Sequence, residues 1–372
     1  MKIAIDARGI NWYKGTGIGT YTDRILSYMI KNHSENFYHI YWSGNKYDNF
    51  NKKNTKIIMA SKKQHRFFEQ YYFPENLKEE NIDIYHVPQN GIGISENITC
   101  KKVITVHDLI PYIMPETVGR SYLTKFIKEM PRIINMADAI ITVSEYSKKD
   151  ILKFFPINKN KIFVTPLAAD EKYKPLDKEI CKNKIKSTYN IDKPFILYVG
   201  GFSPRKNVTS LIEAFSRIHK NLNKDYDLVI VGSSKDDLEK LKEFSSKLHI
   251  EENIRFTGFI KDDLLPVFYS GCDLFVYPSL YEGFGLPPLE AMSCGTPVIT
   301  SNISSIPEVV GDGAILIDPK NIVSLMYSIE SILNDDTIRN ELSLKALNRS
   351  HLFSWENTCE KTIKIYNKIL KT

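Results

Sequence analysis

Short apolar runs separated by longer stretches of helical periodicity recur along this chain in two successive series, and that rhythm narrows the fold more than any single residue does. The first series of predicted strands covers residues 2–7, 38–42, 82–86, 102–106, 139–143 and 162–165. The second covers residues 195–199, 228–231, 254–256, 274–277, 297–300 and 314–317. Between the later strands lie residues 207–220, 236–248, 286–294 and 322–333, whose apolar side chains fall three and four apart and so share one helical face. Strands that alternate with helices pair in parallel, and a parallel sheet needs helices on both of its faces. The expected class is therefore α/β, with two Rossmann-like domains. Ligands of such sheets bind at the carboxyl ends of the strands.

The two series are separated by a polar stretch, DEKYKPLDKEICKNKIKSTYNIDKP, which precedes a new buried strand, FILYVGG, and is taken as the linker. The expected division is a first domain of residues 1–168, a second of 169–353, and a last helix, 354–372, returning to the first. At 372 residues the chain is long for one domain. Its 42% hydrophobic and 25% charged residues are ordinary for a globular enzyme. The start, MKIAIDARGI, lacks the apolar region and cleavage site of a secretory signal, and no apolar run spans a membrane, so a cytoplasmic protein is expected. Five scattered cysteines without a close pair read as buried free thiols, not as a disulfide framework or a zinc site. The excess of 50 basic over 44 acidic residues is mild. It suits an anionic donor or an anionic membrane face, and no dense basic run marks a nucleic-acid partner.

The most informative segment is DLFVYPSLYEGFGLPPLEAMSCGTPVI, which begins at Asp273. A buried strand there runs into a loop holding Glu282, Gly283, Phe284 and Gly285, and Pro287 and Pro288 suit the first turn of a helix. The two glycines let bare backbone approach a ligand, and the amides at the helix start, through Leu286, favour a diphosphate. Glu290 falls one turn beyond Leu286 on the same face, where a carboxylate suits the adjacent hydroxyls of a ribose. The plainer alternative is that both acids are solvated charges favoured by the helix dipole.

Glu282, seven intervening residues and Glu290, in the context E-G-F-G-L-P-P-L-E, resemble the signature of glycosyltransferase family 4. The resemblance implies a GT-B fold, with two Rossmann-like domains facing across a cleft, and transfer with retention of anomeric configuration. It also implies that Glu282 contacts the donor sugar and Glu290 the nucleotide ribose. A second segment, YVGGFSPRKN, places Arg205 and Lys206 after another strand end, and charge-assisted hydrogen bonds from them would stabilise a departing nucleoside diphosphate. The family uses basic residues in this loop for that purpose. Some members carry an arginine beside the strand end, where this chain has Gly201. Two exposed cations ahead of an Asn207 helix cap are the alternative.

The first strand leads into Lys14-Gly15-Thr16-Gly17-Ile18-Gly19, which corresponds to a glycine-rich loop that borders donor phosphates and acceptor in the family, so Gly17 is a donor-site candidate. Alone it is a weak signal, because Thr20 stands where a dinucleotide fingerprint needs its third glycine. In KVITVHDLIPY, His107 ends a buried strand where the family places a histidine near the transferred sugar; a structural histidine is the alternative. Asp225-Tyr226-Asp227 precedes a strand and reads as a solvated strand start instead of a metal-bridged donor site. KKQHRFFEQYYFPENLKEE reads as a helix packed on the first sheet, with membrane or lipid-acceptor contact as the alternative. In TVSEYSKKDI, Ser144 is the expected cap of a helix.

The resemblance extends from the glycine loop to the Ile-Pro-Glu that ends at Glu308, and within the family the chain is most similar to bacterial mannosyltransferases of surface-polysaccharide synthesis. It implies a nucleotide-sugar donor, GDP- or UDP-linked, bound by the second domain. The acceptor, a saccharide or a lipid-linked saccharide, is held by the first, with peripheral association at the inner membrane face. No cofactor and no metal are expected, because the cations neutralise the leaving group. A nucleotide-sugar epimerase and a catalytically silent binding protein of the same fold are the rivals.

Overall fold

The computed structural model describes residues 1–232 and 235–371, so Thr372, the last residue of the expected returning helix, lies outside the described residues. The chain divides into two compact units, Met1–Leu167 together with Ser354–Thr372, and Ala168–Phe353.

The first unit is built on seven parallel strands: β1 (Lys2–Asp6), β2 (Phe37–Trp42), β3 (Thr55–Met59), β4 (Ile84–Val87), β5 (Lys101–Val106), β6 (Ala139–Thr142) and β7 (Ile162–Val164). The second has six: β8 (Phe195–Val199), β9 (Asp227–Val231), β10 (Ile254–Gly258), β11 (Leu274–Tyr277), β12 (Val298–Ser301) and β13 (Ile315–Ile317). Their spatial orders are β3-β2-β1-β4-β5-β6-β7 and β10-β9-β8-β11-β12-β13. In each sheet the chain winds outward in one direction, returns past its first strand, and winds outward in the other. The reversals fall between β1 and β4 and between β8 and β11, which makes those carboxyl ends the natural ligand crevices of each unit. The central strands are apolar on both faces, as sheets covered by helices require: β4, β6, β9 and β11 are buried throughout.

Three departures from the expected elements have physical causes. Strand β3 is absent from the sequence reading: it is an edge strand with a single buried residue, Ile58, and its apolar run, Ile57 to Ala60, is short and flanked by lysines. The stretch taken as linker contains a helix, Lys178–Tyr189, that belongs to the second unit. Asp177 caps its start by accepting from the Ile180 amide at 2.9 Å, and Asn190 ends it in the left-handed region. Only Cys181 and Ile185 of its twelve residues are buried, so charge dominates the pattern. A further helix, Asp336–Ser350, buries only Leu342, Ala346 and Ser350 and was concealed in the same way.

The last helix, Trp355–Leu370, packs within the first unit. Its Tyr366 hydroxyl lies 2.6 Å from Nδ1 of His86 on β4, and Thr358 donates to the Pro166 carbonyl at 2.5 Å. His86 also meets Thr105 on β5 at 2.8 Å, and burial, reinforced by His107, lowers its pKa to about 3. It is therefore a neutral link between sheet and helix. All five cysteines are free, four of them buried. No helix among the described residues is long and apolar enough to cross a membrane.

Candidate active site

The strands that flank the reversal in the second unit, β8 and β11, deliver the charged residues of its crevice. After β8 the chain passes Gly200 and Gly201 into a short turn, Pro204–Lys206. Gly201 is exposed, and a side chain there would meet only open space. Asn207 follows in the left-handed region, with φ of 56°. It makes no side-chain cap for the next helix. Its Nδ2 instead donates to the carbonyls of Pro278 (3.1 Å) and Pro319 (2.8 Å), fastening the β8 loop to the loop that follows β11.

That fastening brings Arg205 and Lys206 onto Glu282. Lys206 Nζ lies 2.6 Å and Arg205 Nη1 2.9 Å from Glu282 Oε1. The three side chains are only 13%, 14% and 12% exposed, which excludes the reading of two solvated cations. Ser279 donates to the same oxygen at 2.6 Å and Tyr277, at the end of β11, at 3.0 Å. Burial alone would raise the Glu282 pKa, but the two cations and their hydrogen bonds outweigh it and hold it at about 2. The cluster thus combines one ionised carboxylate with two cations. Its surplus positive charge lies at the carboxyl ends of two adjacent strands, where an incoming anion gains most.

The loop that carries Glu282 is tied down at several points. Its amide donates to Ser304 Oγ at 3.1 Å, and Ser305 Oγ lies 2.8 Å from the carbonyls of both Glu282 and Phe284. Phe284 is buried and packs edge-on against Phe353 at 5.9 Å. Gly285 has φ of 118°, and a Cβ there would fall 2.7 Å from Ile306 Cδ1, so only glycine fits. The helix Leu286–Ser293 then begins. Because Pro287 and Pro288 have no amide hydrogen, the backbone donors of this helix start come from Gly283 to Leu286 alone. One turn on, Glu290 Oε2 accepts from Tyr269 at 3.1 Å. Burial and then the neighbouring Asp262 raise its pKa to about 7.

His107 and Gly17 belong to the first unit. Gly17 opens the helix Gly17–Asn32, which Thr16 caps, and is exposed. His107 follows β5 and is 6% exposed, with its ring edge-on to Tyr21 at 5.0 Å. Burial lowers its pKa to about 4. Ser144 caps its helix as expected, accepting from Ser147 at 3.0 Å. The Asp225-Tyr226-Asp227 segment differs from the expected solvated start. Asp227 is buried and paired with Arg255 at 3.0 Å, while Asp225 pairs with Lys193 at 2.7 Å, so the motif serves the sheet. Among the described residues, no group of three or more His, Cys, Asp or Glu is placed to hold a metal ion.

Sequence reasoning missed Tyr277, Ser279 and Tyr269, which complete the two carboxylate sites. Tyr277 sits inside the strand pattern, where it reads only as core. Its position at the last residue of a switch-point strand was the available signal.

Two family models match the chain, "Glycosyltransferase Family 4" over residues 16–173 and "Glycosyl transferases group 1" over residues 181–349. The O-antigen chain mannosyltransferase B of Escherichia coli is 34% identical over 266 residues, which span 72% of this chain and 70% of that protein. The serotype-specific mannosyltransferase WbdA of Escherichia coli is 32% identical over 282 residues, 75% of this chain but only 35% of that longer protein. Among solved structures, WaaG, a glycosyltransferase involved in lipopolysaccharide biosynthesis, aligns over 98% of this chain and 99% of its own with a TM-score of 0.74 at 19% identity. Anabaena HepE, solved with UDP and glucose, aligns over 99% and 100% with a TM-score of 0.77 at 16% identity, a likeness of fold alone. With both units matched, the chain is a glycosyltransferase of the GT-B fold and belongs to glycosyltransferase family 4.

Proposed function

We propose that the protein transfers a mannosyl group from a nucleoside-diphosphate sugar to a hydroxyl of a saccharide or lipid-linked acceptor, with retention, in cell-surface polysaccharide synthesis. The observation that carries this reading is the Arg205–Lys206–Glu282 cluster at the β8/β11 reversal. Lys206 and Arg205 stabilise charge as the bond between the anomeric carbon and the diphosphate oxygen breaks, and the Gly283–Leu286 backbone adds neutral donors. Glu282 orients the cations and offers its carboxylate to a sugar hydroxyl. Glu290 holds the ribose. The acceptor hydroxyl attacks the same face of the sugar and loses its proton to the departing phosphate oxygen, so no covalent glycosyl-enzyme is formed. His107, neutral and set in the first unit, accepts a hydrogen bond from a sugar hydroxyl. The names of the E. coli relatives favour mannose, and GDP before UDP follows from mannose.

The two cations make a metal unnecessary. Incubation of GDP-mannose, and of a UDP-sugar for comparison, with oligomannoside acceptors in the presence of chelator should give α-linked product with unchanged yield. A β-linked product, a trapped glycosyl-enzyme, or loss of yield with chelator would contradict the mechanism.

The acceptor reading extends to the inner, cytoplasmic face of a membrane. Phe67 and Tyr71 are 54% and 66% exposed on the segment that also exposes Lys62, Lys63 and Arg66, a mix of aromatic and cationic groups suited to an anionic interface. Co-sedimentation with phosphatidylglycerol vesicles should fall when Phe67 and Tyr71 are both replaced by serine. Equal sedimentation of the variant would rule out this face.

A further inference from the structure

The carboxyl ends of β1 and β4, which flank the reversal of the first sheet, hold a buried polar network that the proposed mechanism does not use. Asp6 ends β1 and accepts from Arg8 through both oxygens, from Nε at 2.8 Å and from Nη2 at 2.6 Å. Arg8 Nη2 also reaches Glu69 at 3.0 Å, on the π-turn Phe68–Tyr72. The guanidinium is stacked near the rings of Trp12 (4.5 Å) and Phe73 (4.9 Å). Gln89, just beyond β4, donates from Nε2 to Asp6 at 2.6 Å. Asp6, Arg8 and Gln89 are 0%, 0% and 1% exposed. Burying an ion cluster of this kind gains little stability over an apolar packing of the same shape.

The network fixes the loop that holds His107. Pro88 and Asn90 flank the anchored Gln89. The Pro88 carbonyl lies 3.0 Å from His107 Nε2, and Asn90 Oδ1 accepts from the His107 amide at 2.8 Å. Ser147 Oγ, 3.3 Å from the His107 carbonyl, holds the other side. Asn90 has φ of 51°, and at Gly93, with φ of 105°, a Cβ would stand 2.9 Å from Glu69 Oε1, so the loop is moulded to the network. A carbonyl oxygen only accepts, so the ring nitrogen facing it must carry the proton.

We propose that Gln89 and Asn90 are positioning residues for His107: they hold residues 88–90 so that the Pro88 carbonyl fixes the Nε2–H tautomer and leaves Nδ1 as the acceptor. The importance of that acceptor for turnover rests on the reading of His107 given above; its fixation does not. Asn90→Gly keeps the left-handed backbone and deletes the side-chain amide with its acceptor for the His107 N–H, while Gln89→Met keeps the volume and deletes the bond to Asp6. In the full-length protein, nitrogen NMR of the His107 ring should show one tautomer in the parent and a mixture in both variants. In parallel, kcat should fall about tenfold to a hundredfold, with the donor KM within about twofold. A ring that stays Nε2–H in both variants, however much their stability drops, would overturn the proposal. A mixed tautomer with unchanged kcat would uphold the positioning and refute the role of His107 in turnover.

Discussion

Replacing Lys206 with alanine should lower kcat/KM by about two to three orders of magnitude while leaving the protein folded, the loss expected for one preorganised donor at a developing charge. The reason lies in the arithmetic of the cluster. Arg205 lies 2.9 Å from Glu282 in the parent, so the carboxylate should keep a cation in the variant and the pair should stay balanced. Removing Glu282 should have the opposite ranking. In Glu282→Gln, two largely buried cations lose the carboxylate they share, and unfolding should become easier by about 3 kcal/mol. The pH dependence follows the same logic. The folded pKa of Glu282, about 2, is below its ordinary value of 4.5, so its ionised form contributes stability that is full above pH 4.5 and is lost as pH falls through about 2. That acid limb should shrink in Glu282→Gln. Denaturant unfolding at several pH values, combined with steady-state rates, checks both statements. Lys206→Ala within threefold of the parent rate would remove the cation from the mechanism.

Glu290→Gln should weaken donor binding by about tenfold to a hundredfold, because a carboxylate accepting two ribose hydroxyls is replaced by a group that can accept through one oxygen. In the parent, donor affinity should rise as pH rises through about 7, where the Glu290 carboxyl ionises, and the variant should be flat over that range. Stability should move the other way. A carboxyl whose folded pKa is above its unfolded one favours the fold only while protonated, so its contribution is lost as pH climbs from about 4.5 to about 7. Glu290→Gln should therefore unfold at a higher temperature than the parent at pH 8, the trade expected of a residue kept for binding. An unaltered donor affinity would leave Glu290 as a structural partner of Tyr269 and nothing more.

The fold was legible where burial is two-sided. Strands such as β8 and β11 are continuous apolar runs because helices cover both faces, and a run of that kind is visible in one sequence. The edge strand β3 and the helices Lys178–Tyr189 and Asp336–Ser350 bury one to three residues each, too few for periodicity to stand out from charge. The donor-side candidates were legible because glycine, proline and acid occur at fixed spacing, and the structure brings Arg205, Lys206 and Glu282 onto one oxygen atom. The fully buried charges were not. Asp6 falls inside the expected strand 2–7 and Arg8 just beyond it, and sequence cannot distinguish a solvated arginine from one held against two aromatic rings. Asn207 shows the same limit: it reads as a cap, and its amide instead fastens together two loops 71 residues apart.

The β8/β11 crevice of the second unit is proposed to be the nucleotide-sugar site. Calorimetric titration of the intact protein with a panel of GDP- and UDP-sugars, without added metal, tests it most directly. One donor should bind at a single site, GDP-mannose before the others, and should bind more weakly to Glu290→Ala. A folded protein that binds none of the panel, or a donor whose affinity is the same in parent and variant, would contradict it.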